Sequence, residues 1–233
     1  MKTIKPLLAF PLILALTLSA EGQSSVSKDI YIEAGAKVKR NVHSVSGDVM
    51  IGKSARVHES VTTVSGDIEI GPKAEVGDVE TVSGDIDVAK GAETGRIHSV
   101  SGDIHMYGSN DVDGVVKTVS GDITTESGSK LLSNIITVSG DIELDDTRTT
   151  GNIETVSGEI DLYNGSVLLG DIIIKRKKNF GSLPMGRLEV VIDLNSVVKG
   201  SIRVLEDDTN VQVHLSNGGK VQGEIINAEV IQH

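Results

Sequence analysis

Thr81-Val82-Ser83-Gly84-Asp85-Ile86 recurs along this chain, with small changes, seven times. The serines of the copies are Ser46, Ser65, Ser83, Ser101, Ser120, Ser139 and Ser157, so successive copies lie 18 or 19 residues apart. A weaker copy, Val26-Ser27-Lys28-Asp29-Ile30, sits 19 residues before Ser46. A period this regular marks stacked supersecondary units and not a single globular core.

Alignment on the serine shows what each column carries. Valine precedes it and glycine follows it in all seven copies; next comes Asp (Glu159 in the last copy), then Val49 or Ile. Two before the serine stands Ser or Thr; four before it stands Val or Ile; five after it the residue is mostly aliphatic. The alternation has a period of two, which predicts strands. By parity the valine, the glycine, the isoleucine and the residue two further on should face inward, with serine, Asp and the residue four after the serine outward. The apolar column four before the serine has the opposite parity, so a corner or bulge is expected just before the valine.

A unit of 18–19 residues with about three short strands is one lap of a parallel β-solenoid. The expectation is therefore an all-β, single-stranded, three-sided parallel β-helix, in which each lap rests on a near-identical neighbour ~4.8 Å away. A right-handed wind is favoured. The six-residue pattern of left-handed helices fits only part of the chain, such as Ile70-Gly71-Pro72-Lys73-Ala74-Glu75. The one-residue variation in lap length should fall on the outside, between the column six after one serine and the next apolar column.

Composition agrees. The chain has 26 glycines, four prolines, no tryptophan and no cysteine. Outside residues 1–20 the aromatics are Phe180, Tyr31, Tyr107 and Tyr163. A core of thin β-branched layers can do without aromatic filler. Lack of cysteine removes disulfides, thiolate metal sites and lipid attachment through a lipobox.

Residues 1–20 read as a signal peptide: Lys2 and Lys5, an apolar run over 7–18, then Ser19-Ala20. That run is short for a bilayer span, and no second one follows. The chain is therefore expected to be exported, to the periplasm or the cell surface, without a membrane span after cleavage. The formal charge of −11 becomes −13 on losing Lys2 and Lys5. So acidic a chain repels nucleic acid. The regular solenoid is placed at 21–174, a loop thrown out of it at 175–186, and irregular terminal coils or a small β cap at 187–233. After Ser157, Leu168-Leu169-Gly170-Asp171-Ile172, Val198-Lys199-Gly200-Ser201-Ile202 and Val221-Gln222-Gly223-Glu224-Ile225 keep an apolar-x-Gly-x-Ile frame and read as weakened copies of the repeat.

On the repeated T-V-S-G-D-[IV] frame, over residues 26–162, the chain resembles a bacterial adhesin family of domains of unknown function. That resemblance implies an exported β-solenoid and brings no catalytic residues. A looser similarity is to bactofilins, polymer-forming three-sided β-helices with laps of similar length.

The most suggestive chemistry is an acidic column: Asp48, Asp67, Asp85, Asp103, Asp122, Asp141 and Glu159. Neighbouring carboxylates at lap spacing repel by ~1 kcal/mol in water. Each is expected to accept hydrogen bonds from the serine hydroxyl or backbone N–H groups and to stay solvated. The alternative is a calcium-bridged ladder, since calcium takes several carboxylate oxygens. The column Ser44, Thr63, Thr81, Ser99, Thr118, Thr137 and Thr155 lacks a consistent basic neighbour and reads as a hydrogen-bonded ladder, not a set of nucleophiles. His58, His105, His214 and His233 show no metal-ligand spacing and are expected at the surface. The run Lys175-Arg176-Lys177-Lys178 can meet an anionic partner or the protein's own carboxylates. The function expected is a non-enzymatic, adhesin-like solenoid offering a face to an envelope or surface partner, or to itself. A calcium-stabilised solenoid and a polysaccharide-acting β-helix enzyme are the alternatives.

Overall fold

In the computed structural model, residues 22–175, 186–206 and 210–233 are described. Among them every regular element is a β-strand, most of two or three residues. The strands fall into three all-parallel sheets of eleven, eleven and ten strands. Face 1 runs from Gln23–Ser25 to Ile225–Ile226, face 2 from Ile30–Ile32 to Glu229–Gln232, and face 3 from Lys37–Val38 to Lys220–Val221. Each strand pairs with strands one lap before and after it on its own face. The chain thus winds about one axis for about ten laps, as a three-sided parallel β-solenoid.

The register follows the repeat. Ile86 pairs with Ile68 and Ile104, and Val88 with Ile70 and Met106. On face 1, Val79 pairs with Val61 and Ile97. These residues are fully buried and belong to one continuous aliphatic core that runs from Ile30 to Val213. No lap closes its own core; each inner residue is covered by its counterparts on the neighbouring laps.

The parity expected for face 1 is corrected. The columns four and two before the serine point inward together, as in Val42 and Ser44, both 0% exposed. The valine before the serine does not enter the core. Val64, Val82 and Val138 are 39–44% exposed, and none of the seven repeat valines is in the core cluster. The turn therefore begins at the valine and runs through the Asp, so the motif Val-Ser-Gly-Asp is itself the corner between faces 1 and 2. Period-two counting failed because a corner resets the alternation.

Glycine is required at that corner by close approach. A Cβ built on Gly102 would overlap the carbonyl oxygen of Gly84 one lap earlier, and Gly84, Gly121 and Gly140 stand in the same relation to the glycine before them. Serine N–H groups tie the corner laps together: Ser83 donates to Val64 O and Ser101 to Val82 O, each at 2.9 Å.

The lap-length variation falls inside the expected window. Three residues separate Arg56–Val57 on face 3 from Val61–Thr62 on face 1, whereas two separate Glu75–Val76 from Val79–Glu80 and Glu93–Thr94 from Ile97–His98. The frames around Gly170, Gly200 and Gly223 also belong to this face 3 to face 1 corner, not to weakened copies of Val-Ser-Gly-Asp: Leu168, Val198 and Val221 end face 3 strands, while Ile172, Ile202 and Ile225 begin face 1 strands. The two corners share a glycine because in both the backbone passes against the glycine carbonyl of the lap before. The aliphatic two before it faces inward at the face 3 to face 1 corner, as Leu168 and Val198 do, and outward at the other.

Of the segment 175–186, residues 176–185 lie outside the described residues. Its flanks are placed: face 1 ends its strand at Ile174 and face 2 resumes at Leu188. The same three faces continue beyond it, with Ile160 paired to Val190 and Val190 to Val213. In the last lap the inner positions become more polar: Gln232 stands opposite Leu215, and Asn227 Nδ2 donates to Val204 O at 3.0 Å. That blunts the open edge.

Gly102→Ala should lower the unfolding free energy by roughly 1–3 kcal/mol, because backbone cannot retreat from the new methyl. Ser101→Ala, at an exposed site, should be near neutral. Denaturant melts check both; an unchanged midpoint for Gly102→Ala would remove the close-packed corner from the account.

Candidate functional site

The face 1 to face 2 corner brings together the residues that the sequence marks out. Each of the six aspartates of the repeat, Asp48 to Asp141, spends one oxygen on a backbone amide one lap later. Asp48 Oδ1 accepts from Asp67 N–H, Asp67 from Asp85, and Asp85 from Asp103, each at 2.9 Å. Asp103 accepts from Asp122 at 2.8 Å, and Asp122 and Asp141 accept from Asp141 and Glu159 at 2.7 Å. The backbone carbonyl of the same residue accepts from the previous lap, as in Ile86 N–H to Asp103 O at 2.9 Å. At a corner the sheet pattern lapses and leaves an amide without a carbonyl; the carboxylate supplies the missing acceptor. Serine hydroxyls take no part in this ladder, so only the amide half of the expected pattern is present.

The same device recurs at the face 3 to face 1 corner with both charged and neutral side chains. Asp78 Oδ1 accepts from Arg96 N–H at 2.9 Å and Asp171 Oδ1 from Ser201 N–H at 2.8 Å. Asn134 Oδ1 accepts from Asn152 N–H and Asn152 Oδ1 from Asp171 N–H, both at 2.9 Å. At the third corner small inward side chains replace it: Ala55, Ala74 and Ala92 give way along the rod to Asn110, Ser129, Thr147 and Ser166. There Thr147 N–H donates to Ser166 Oγ at 3.0 Å.

The Ser/Thr column faces the interior and is buried from Ser44 to Thr155. Thr63 Oγ1 donates to Gly47 O at 3.3 Å and Thr81 Oγ1 to Gly66 O at 3.2 Å. From Thr63 to Thr118 the ladder is therefore hydroxyl to glycine carbonyl, not hydroxyl to hydroxyl. Ser44 Oγ accepts from Gly47 N–H, Thr155 Oγ1 donates to Ser157 O, and Thr137 Oγ1 lacks a partner. No base stands beside these oxygens, and water does not reach them.

The histidines are less isolated than their sequence scatter suggests. His214 and His233 are one lap apart and stack with centroids 5.6 Å apart, Nδ1 of one 3.3 Å from Nε2 of the other. His105 and His214 are partly buried rather than exposed, and each lies near a carboxylate: His105 near Asp87 at 3.7 Å, His214 near Glu189 at 3.9 Å. His98 is held below the usual imidazole range by burial and then by the Lys117 charge. Among the described residues, no group of three or more His, Asp or Glu side chains is placed to hold a metal ion. No helix among them is long and apolar enough to cross a membrane.

One cluster escaped the sequence reading. On the outer surface of face 2, Asp161 is half-buried and its Oδ1 lacks a hydrogen-bond partner. Burial first, then the charges of Glu159, Glu143, Asp141 and Glu189, push its pKa from 3.8 up to about 6. Tyr163 beside it is raised above the ordinary phenol range by burial and by its bond to Glu143. The only signal was that Glu143 and Asp161 share the column four after the serine.

These features define a repeat-built β-solenoid whose polar rows are structural ladders. Residues 72–176, within the regular laps, match the family model described as Toastrack DUF4097, so this part of the chain is similar to that domain of unknown function. No curated protein and no solved structure matches the chain.

Two outcomes are expected. Asp103→Asn, which keeps the Oδ1 acceptor, should melt with the parent, whereas Asp103→Ala should lose about 1 kcal/mol; equal losses in both would sink the acceptor role. For Asp161 the folded pKa is raised, so its stabilising contribution is full below pH ~4 and is lost as pH rises through about 6. Asp161→Asn should therefore raise stability at pH 7 by something on the order of 1 kcal/mol, reduced by solvent screening, and flatten the slope between pH 4 and 6. Melting temperatures measured across that range check it, and an unaltered pH profile would contradict it.

Proposed function

We propose that this chain is an exported, non-enzymatic β-solenoid that presents its outer faces to a protein or envelope partner, in the manner of an adhesin. The observation that carries this reading is the sameness of the laps. From Asp48 to Asp141 each carboxylate accepts the same corner amide, and from Thr63 to Thr118 each buried hydroxyl donates to the glycine carbonyl of the lap before. Catalysis needs one nucleophile set apart by an oriented base and an oxyanion site, and the laps distinguish none. Residues 1–20 support export by their basic start and apolar run, and periplasm or cell surface is the destination.

The test uses the full chain expressed in its own host. Fractionation and the mass of the mature N-terminus report export. Photo-crosslinking residues at Lys117, Glu69 and Arg148, one outward position on each face, report contact. The expected result is an envelope or extracellular chain that begins near Glu21 and forms adducts from at least one face. A cytoplasmic chain with residues 1–20 retained, or adducts from none of the faces, would overturn the reading.

A further inference from the structure

Two residues of the repeated motif supply more than the fold uses. The first is the valine. Val45, Val64, Val82, Val100, Val119, Val138 and Val156 lie outside the core cluster; Val64, Val82 and Val138 are exposed and the other four are partly exposed. The second is the charge on the acid. The task of accepting one corner amide is done by neutral Asn134 and Asn152 at the other corner. The fold needs the oxygen; it does not need the negative charge.

Several outward carboxylates elsewhere are paired, although among the described residues Glu69, Glu93 and Glu143 have no ion pair. Glu75 meets Arg56, Asp78 and Glu80 meet Arg96, Asp111 meets Lys130, and Asp171 meets Arg203. Among the described residues, none of the acids from Asp48 to Glu159 in the repeat has an ion pair. The corner is therefore a strip ~29 Å long at lap spacing, with an apolar row, a hydroxyl row and a row of unpaired carboxylates side by side.

We propose that this strip is the docking surface for a cationic polypeptide, which lays aliphatic side chains along the valines and lysine or arginine side chains along the carboxylates. The proposal rests on the non-enzymatic reading above and deepens it. Charge selects the partner. Two copies set strip to strip as antiparallel rods bring carboxylate row against carboxylate row. As parallel rods about a two-fold axis they bring valines against carboxylates. Neither is complementary, and the net charge of −11 opposes both. Because the strip repeats at every lap, weak contacts add along it.

The experiment titrates the mature chain with a short synthetic peptide of alternating lysine and valine, using a lysine–serine peptide as the control. One variant carries Val64→Ser, Val82→Ser and Val100→Ser; another carries Asp67→Asn, Asp85→Asn and Asp103→Asn, which retain the amide acceptors. The expected result is binding by the parent that weakens with salt, falls at least about tenfold in each variant, and is weaker for the control peptide. If a triple variant fails to fold, Val82→Ser and Asp85→Asn are read singly in the same way. Absence of binding by the parent, equal affinity in parent and variants, or self-association that the valine variant abolishes would each overturn the proposal. Loss of the strip alone, with crosslinks still formed from other faces, leaves the non-enzymatic reading standing.

Discussion

Everything in this molecule depends on the chain retracing its own path one β-ladder spacing further along the axis. On a flat face that is simple, because parallel strands supply every amide with a carbonyl. The difficulty lies at the corners, where the backbone turns and the ladder lapses. The three corners solve it differently: with carboxylate acceptors, with a mixture of Asn and Asp acceptors, and with small inward side chains. Each lets successive laps stay in register while the direction changes. Glycine is the common requirement at the two corners with acceptor ladders, because the backbone of one lap there passes against the carbonyl of the previous one.

The solenoid was legible because its constraint is periodic. A residue that must rest on its own counterpart reappears at a fixed interval, and the alternation of Ile86 and Val88 with Asp87 marks a strand. What parity could not show was the reset at a corner. Val82 and Ile86 share a parity, yet one is 44% exposed and the other is fully buried. The Thr81 column was legible as a hydrogen-bonded ladder, but not its partner, the Gly66 carbonyl of the lap before. Asp161 stayed hidden because nothing in its own lap marks it. Its environment is assembled from burial, from Glu159 two residues before it, and from Glu143 one lap below and Glu189 one lap above. Contacts between laps are visible in sequence only where the same residue type recurs.

The acidic row illustrates how a repeat serves two ends. Seen as a charge, it costs repulsion along its length. Seen as an oxygen, it completes the backbone hydrogen bonding of the corner. At the face 3 to face 1 corner Asn134 and Asn152 do the same work without charge, while Asp78 and Asp171 do it with charges that meet Arg96 and Arg203. The family similarity over residues 72–176 covers laps in which all three corners are regular, so it speaks to the scaffold, whereas the outward rows bear on what the scaffold meets.

Between Ile172 and Ile202 one circuit takes thirty residues, against eighteen or nineteen in the regular repeat, yet Ile172 still sits directly on Ile202. The interior registers circuits, not residues. Extra chain spliced in at an outer bend leaves no trace in the packing beneath it. A corner is therefore the place where such a rod can acquire a new appendage while its inner construction stays as it was.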